Sequence, residues 1–311
     1  MKILEICEKY YNEYGKDMLN SFPDLLPYIC VGVCGSGSEN FGYDDDFSLD
    51  HDVQPGFTIF IPDESIVSSR QAFSLERAYA KLPKEFMGLK RQLLSPAGGS
   101  RLGVIRLEDF MFSKTGTKNG NLSEADFLRI PEFYLAEVTN GKIFYDGYGE
   151  FTKIRQKLAY MPENARLKKI AGNLILCCQA GVYNFERILK RKDYAGAQLA
   201  LFEYCKSVIN LIFLLNKKYL PFYKWQFKAL RNLEKLSLAD SLEFLISSDN
   251  EKNSELKLQV VNDINSLIVK QLKAQNLTDV NCDDLEKHAY AVNDKITNNA
   301  LRNLNILYGV N

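Results

Sequence analysis

The chain has 311 residues, 46% of them apolar, a composition that excludes disorder and allows two folded domains. Thirty-nine basic residues cancel thirty-nine acidic ones, so no global field recruits nucleic acid or an anionic membrane surface. Seven cysteines, an odd number with no CxxC pair, fall mostly in apolar runs and read as buried free thiols in a reducing cytoplasm. The N-terminal MKILEICEKYY lacks the long apolar stretch of a signal peptide. Val208 to Leu215, the most apolar run, contains Asn210 and ends before Lys217 and Lys218, too short to span a bilayer. A cytoplasmic protein with no membrane partner is expected.

Residues 2 to 20 carry Ile3, Ile6, Tyr10 and Tyr11 at helical spacing, which predicts an amphipathic helix ending before Pro23. Val31 to Cys34 and Phe57 to Ile61 then read as buried strands, separated by a Gly/Asp loop and the Pro55-Gly56 break. Ser65 to Leu89 reads as helical with a boundary near Pro83. Leu102 to Phe110 is a third strand candidate, and Lys142 to Tyr145, between Asn140-Gly141 and Asp146-Gly147, a fourth. Beyond residue 150 Leu, Ile, Lys and Glu recur at helical spacing, Pro221 interrupts a helical hairpin, and Asp249 to Glu255 reads as a loop. The expected fold is an α+β domain over 1–150, a mixed sheet flanked by helices, followed by an all-α helical bundle over 151–311.

Chemistry concentrates between Gly35 and Asp52, GSGSENFGYDDDFSLDHD. Gly35, Ser36, Gly37 and Ser38 form a small turn after a strand, where backbone N–H groups can approach an anion closely. Asp50 and Asp52 stand two residues apart, so on an extended strand both carboxylates face one point, and without a cation they would repel. Two hard oxygen ligands plus phosphate oxygens suit Mg²⁺. Asp44, Asp45 and Asp46 read equally well as a solvated acidic loop. No GxxxxGK[ST] and no GxGxxG after a strand occurs, and His51 and His288 are too few for a zinc cluster or a charge relay. His51, on the opposite strand face from its neighbours, reads as a packing or hydrogen-bonding residue.

A Gly-Ser turn, a spacer, and Asp-x-Asp on the next strand resembles the signature of the polymerase-β-like nucleotidyltransferase superfamily. Gly37-Ser38 is followed by eleven residues before Asp50, and Gly35-Ser36 by thirteen. The fuller string, with the later NKKYLPFYKW, is similar to a bacterial family of uncharacterised proteins assigned to that superfamily, and the helical half is like that of the aminoglycoside nucleotidyltransferases. The resemblance implies transfer of a nucleoside monophosphate from an NTP, with ATP the expected donor, to a hydroxyl acceptor with release of pyrophosphate. It implies that Gly35, Ser36, Gly37 and Ser38 hold the triphosphate and that Asp50 and Asp52 ligate Mg²⁺. Ser48-Leu49 precedes Asp50 here, where superfamily members often have Ser-Asp-x-Asp.

The superfamily's third acid would be Glu108, or Asp109 on the opposite face, in VIRLEDF; the alternative for both is a strand end followed by a helix cap. In the helical half Glu203, Lys206, Ser207 and Asn210 share one face of an otherwise apolar helix, and related enzymes take a carboxylate base from this region, which puts Glu203 beside Glu108 as a candidate catalytic residue. Lys224, beside the only tryptophan, Trp225, suits a nucleotide as a cation with an aromatic wall. The basic runs Arg166, Lys168 and Lys169, then Arg187, Lys190, Arg191 and Lys192, then Lys217 and Lys218 read as solvated helix faces. Zero net charge favours a small-molecule acceptor over nucleic acid. Two other readings are a catalytically inactive nucleotide-binding regulatory module and a nucleotidyltransferase that modifies protein or tRNA.

Overall fold

The computed structural model describes residues 1–45, 54–91 and 102–310. α1 (Ile3–Tyr10) continues through a π-helical turn (Tyr11–Gly15) into α2 (Lys16–Asn20), and β1 (Cys30–Val33) and β2 (Thr58–Ile61) follow. α3 (Ser69–Lys81) starts where Ser68 and Gln71 form a reciprocal capping box and stops short of Pro83. The helix expected over 65–89 is therefore shorter. Past Pro83 the chain forms a hairpin of β3 (Glu85–Phe86) and β4 (Leu89–Lys90), whose tight turn puts Met87 and Gly88 at φ 50° and 82°.

β5 (Gly103–Arg106) occupies less of the expected 102–110 strand, because Leu107, Met111 and Thr115 are buried at intervals of four, a helical spacing, in α4 (Leu107–Thr115). α5 (Glu124–Arg129), α6 (Glu132–Thr139), β6 (Lys142–Asp146) and α7 (Glu150–Lys157) complete this part of the chain.

The four expected strands join one mixed sheet in the order β5-β2-β1-β6, with β1 antiparallel to both neighbours and β2 parallel to β5. Gly32 pairs with Thr58 and Thr58 with Gly103, so the exit of β1 lies at the same sheet end as the starts of β2 and β5. Val31, Val33, Ile59 and Ile61 pack into a cluster with Ile3, Tyr10, Leu75 and Tyr79. On the other face Phe60 meets Phe110 of α4 and Phe151 of α7 at 5.2 and 4.7 Å between ring centroids, worth about 0.5–1.5 kcal/mol per pair beyond burial. Coverage of both faces is why β1 and β2 read as continuous apolar runs.

The chain divides into two compact units, Met1–Leu122 with Phe133–Ala159, and Ser123–Glu132 with Tyr160–Asn311. The second contains α5 and then α8 (Glu163–Cys177), a π-helical turn (Cys178–Asn184), α9 (Phe185–Lys190), α10 (Tyr194–Leu215), α11 (Gln226–Leu230), α12 (Ala239–Ser247), α13 (Ser254–Ala274), α14 (Leu285–Asp294) and α15 (Asn299–Arg302). The apolar run after Val208 is thus the end of a 22-residue helix, the one helix among the described residues long and apolar enough to cross a membrane by length and composition. Leu201, Tyr204, Val208, Leu211 and Leu215 of that helix are buried inside the unit.

The basic run at the start of α8 is also buried rather than solvated, because each cation has dedicated acceptors. Lys168 donates to Asn293 Oδ1 at 2.9 Å and to the carbonyls of Leu304 and Arg302, while Lys169 pairs with Glu132 at 2.9 Å. Arg187, Lys190, Arg191 and Lys192 are exposed, as expected. All seven cysteines are free, six of them buried.

α5 shows how acid should loosen this unit. Asp126 accepts from the Ser123 hydroxyl and N–H at 2.7 and 2.8 Å, and these bonds hold its carboxyl below the usual carboxylate range. A depressed carboxyl stabilises the fold fully above its unfolded value, and that contribution is lost as pH falls through the folded value. Thermal melts followed by circular dichroism should show Asp126→Ala below wild type at pH 7, with the gap closing as pH drops below the usual carboxylate range.

Candidate functional site

At the exit of β1 the chain passes the buried Cys34 and turns at Gly35, whose φ of 116° suits glycine alone. Burial pushes the Cys34 thiol up to about 12, with Arg155 partly opposing, so it is inert as a nucleophile. Ser36 is exposed, Gly37 N–H donates to Gly35 O at 3.1 Å, and a 3₁₀ turn (Glu39–Phe41) closes with Tyr43 N–H donating to Ser38 O at 2.9 Å. The Glu39 carboxylate folds across Gly37, where a Cβ would lie 2.1 Å from one of its oxygens.

Asn140 fixes this turn from the end of α6. Its Oδ1 accepts from Gly35 N–H and its Nδ2 donates to Gly35 O, both at 2.9 Å, so one side-chain amide pairs with the backbone as a neighbouring strand would. Asn40 Nδ2 donates to the same carbonyl at 3.3 Å, and Gly141 N–H donates to Asn40 O at 2.9 Å. Asn40 Oδ1 is buried without a hydrogen-bond partner.

Support for Asn140 comes from α4 and α7. Arg155 donates to the Val138 and Thr139 carbonyls at 2.9 and 3.1 Å, closing the end of α6, and Lys114 pairs with the buried Glu137. Asn140, Arg155 and the Lys114–Glu137 pair were missed as site residues; only Asn140-Gly141 carried a signal, as a turn dipeptide.

Asp50, Asp52 and His51 lie outside the described residues, as does Asp46. Asp44 is buried instead of solvated: its Oδ2 accepts from Ile3 N–H at 3.2 Å at the start of α1, and Lys2 donates to its carbonyl at 2.7 Å. Among the described residues no group of three His, Cys, Asp or Glu is placed to hold a metal ion.

Glu108 does not join the turn. It sits in the first turn of α4 and pairs with Lys118 at 2.9 Å. From the Thr58–Gly103 level to the Ile61–Arg106 level the sheet runs about 10 Å, and Glu108 lies beyond that far end. Asp109 shares that helical turn.

In the helical unit Glu203 is 67% exposed and loosely paired with Lys206 at 3.8 Å. The expected polar stripe is only partly solvated, since Ser207 is buried and bonds Glu203 O, and Asn210 bonds Lys206 O. Lys224 is exposed on a 3₁₀ turn (Tyr223–Trp225), its ammonium 5.0 Å from the Trp225 ring centroid. His288 is a core residue, held by the Thr278 hydroxyl and the Cys282 carbonyl at 2.9 and 2.7 Å.

A mixed α/β unit with a glycine turn at the exit of its central strand, and a helical unit, thus make up the chain. Residues 127–226 match a family model described as a domain of unknown function, DUF4037. The match begins in α5 and ends at the first residue of α11, and does not include Gly35 to Ser38, Asp50 or Asp52. No curated protein matches the chain.

Two substitutions test the bracket. Asn140→Ala removes the acceptor for Gly35 N–H and one of three donors to Gly35 O, and should cost about 1–3 kcal/mol in urea unfolding. At Gly141 (φ 64°) a Cβ would lie 1.9 Å from Val33 O. Gly141→Ala should therefore cost more, about 2–5 kcal/mol, by the left-handed backbone and the clash together.

Proposed function

We propose that the chain is a Mg²⁺-dependent nucleotidyltransferase that transfers a nucleoside monophosphate from an NTP, ATP first among them, to a hydroxyl of a small-molecule acceptor. The observation that carries this reading is the register of β1 against β2: Gly32 opposite Thr58 sets the glycine turn beside the start of the strand that the Asp50-x-Asp52 segment precedes. A turn held rigid by Asn140 offers fixed backbone groups to the triphosphate, with no reorganisation at the moment of reaction.

Asp50 and Asp52 supply the hard oxygen ligands that Mg²⁺ requires, and their like charges need such a cation. When bound, the metal neutralises the charge that builds on the phosphate oxygens during in-line displacement. The acceptor oxygen then bonds to the α-phosphorus as the bond to the bridging oxygen breaks and pyrophosphate leaves. On the resemblance alone, Glu203 would be a residue to take the acceptor's proton. Glu108, in the first turn of α4 and paired at the surface with Lys118, is the other candidate.

With the superfamily's third acid unassigned, the second reading is an NTP-binding module without turnover. One experiment separates the two. Incubation of the full chain with NTP, Mg²⁺ and a metabolite extract should release pyrophosphate, lost at least about 10²-fold in Asp50→Asn with Asp52→Asn and reduced in Glu203→Gln with NTP binding retained. Turnover that survives the double aspartate variant would overturn the mechanism; Mg²⁺-dependent NTP binding by calorimetry with no pyrophosphate would establish the module.

A further inference from the structure

A cavity of about 490 Å³ opens in the helical unit where the start of α8 meets the C-terminal end of α10. Its volume falls in the range of small-molecule sites, about 300–1,000 Å³. Tyr160, Met161, Leu214 and Tyr219 give it apolar and aromatic walls.

The charged lining is unbalanced. Among the described residues Glu163 is its only acid, and Arg166 holds that carboxylate with two hydrogen bonds of 2.6 and 2.9 Å, keeping it ionised. Arg166 is itself buried and spends a third donor on Leu214 O at 3.1 Å. Lys217 and Lys218 make no salt bridge among the described residues, although Lys217 adds to the field that keeps Glu163 ionised, so three cations against one acid leave the lining net positive.

The backbone that presents these lysines is over-determined. Lys218 N–H donates to Phe213 O and Lys217 N–H to Leu214 O, a helix ending in which the first residue past the cap is left-handed and normally glycine. Here that residue is Lys217, at φ 53°. Asn216 locks the turn against Lys235 in both directions, accepting from its N–H at 3.1 Å and donating to its carbonyl at 3.0 Å.

We propose that this cavity binds a small phosphate monoester, the phosphate between the Lys217 and Lys218 ammonium groups and an apolar or aromatic body against Leu214, Met161 and the two tyrosine rings. A monoester carries close to two negative charges at neutral pH, matching the two lysines, and lysine meets phosphate as a mobile point charge. This site is independent of nucleotidyl transfer.

The probe is phenyl phosphate, titrated calorimetrically into the full chain, with phenol and inorganic phosphate as controls. Phenyl phosphate should bind at least tenfold more tightly than either control, and more weakly below about pH 6, where it takes up its second proton. Lys217→Gln with Lys218→Gln should lose at least tenfold. Lys217→Gly relieves the left-handed strain, so it should raise the melting temperature while weakening binding, which separates a ligand role from a structural one. Asp50→Asn with Asp52→Asn should bind phenyl phosphate as wild type does. Affinity no better than for inorganic phosphate, affinity unchanged in Lys217→Gly, or affinity lost in the aspartate variant would each overturn the proposal.

Discussion

Two hydrogen bonds of 2.9 Å between one asparagine amide and one glycine peptide set the shape of the candidate site. They join positions 105 residues apart, so the glycine turn takes its conformation from the end of α6 and not from its own short sequence. Everything around Asn140 serves that placement. Arg155 caps the last carbonyls of α6, Lys114 holds Glu137 one helical turn earlier, and the missing side chain of Gly141 lets the chain return against β1. A polar bracket of this kind is cheap when every group is satisfied and costly when one is not.

The helical unit uses polar groups differently. Lys168 and Lys257 are wholly enclosed, and burial lowers the proton affinity of each, yet both end in oxygen cages. Lys257 donates to the carbonyls of Leu245 and Ser248 and to Asn250 Oδ1, tying α12 and the loop after it to α13, as Lys168 ties α8 to α14 and the segment beyond α15. Each ammonium acts as a junction for carbonyls that helix ends leave over. Apolar side chains could fill these volumes but could not satisfy the carbonyls.

Strands with strong local signals were legible: β1, β2 and β6 announced themselves by apolar runs bounded by glycine, proline or aspartate, and the first helix by its spacing and Pro23. Extent was less so. The stretch after Val104 has β-like residues, but its packing obeys a four-residue interval, and only the sheet beneath it decides between strand and helix. Burial of Lys168 and Lys169 had no local signal, because their acceptors come from residues 132, 293, 302 and 304. Within the site the glycines were readable as a turn and Asn140 was not readable as its partner, since a hydrogen bond across 105 residues leaves no pattern in either segment. The position of Glu108, in the first turn of α4, was likewise illegible, because the sheet decides where strand gives way to helix.

Asn140-Gly141 has one more property, set by covalent chemistry. An asparagine followed by glycine is open to attack by the glycine nitrogen on the side-chain carbonyl carbon, which expels ammonia and leaves a cyclic imide that water opens to aspartate or its isomer; asparagine is among the thermolabile residues. In the native chain that nitrogen's hydrogen is given to Asn40 O and the amide is held at both atoms by Gly35. The fold thus shields the bond it depends on, and only while it is folded. Each excursion to the unfolded chain exposes the dipeptide, and a carboxylate formed there has no N–H to return to the Gly35 carbonyl. Asn119-Gly120 is a second such dipeptide, with Asn119 exposed in the folded chain, whereas at Asn140 the reaction waits on unfolding.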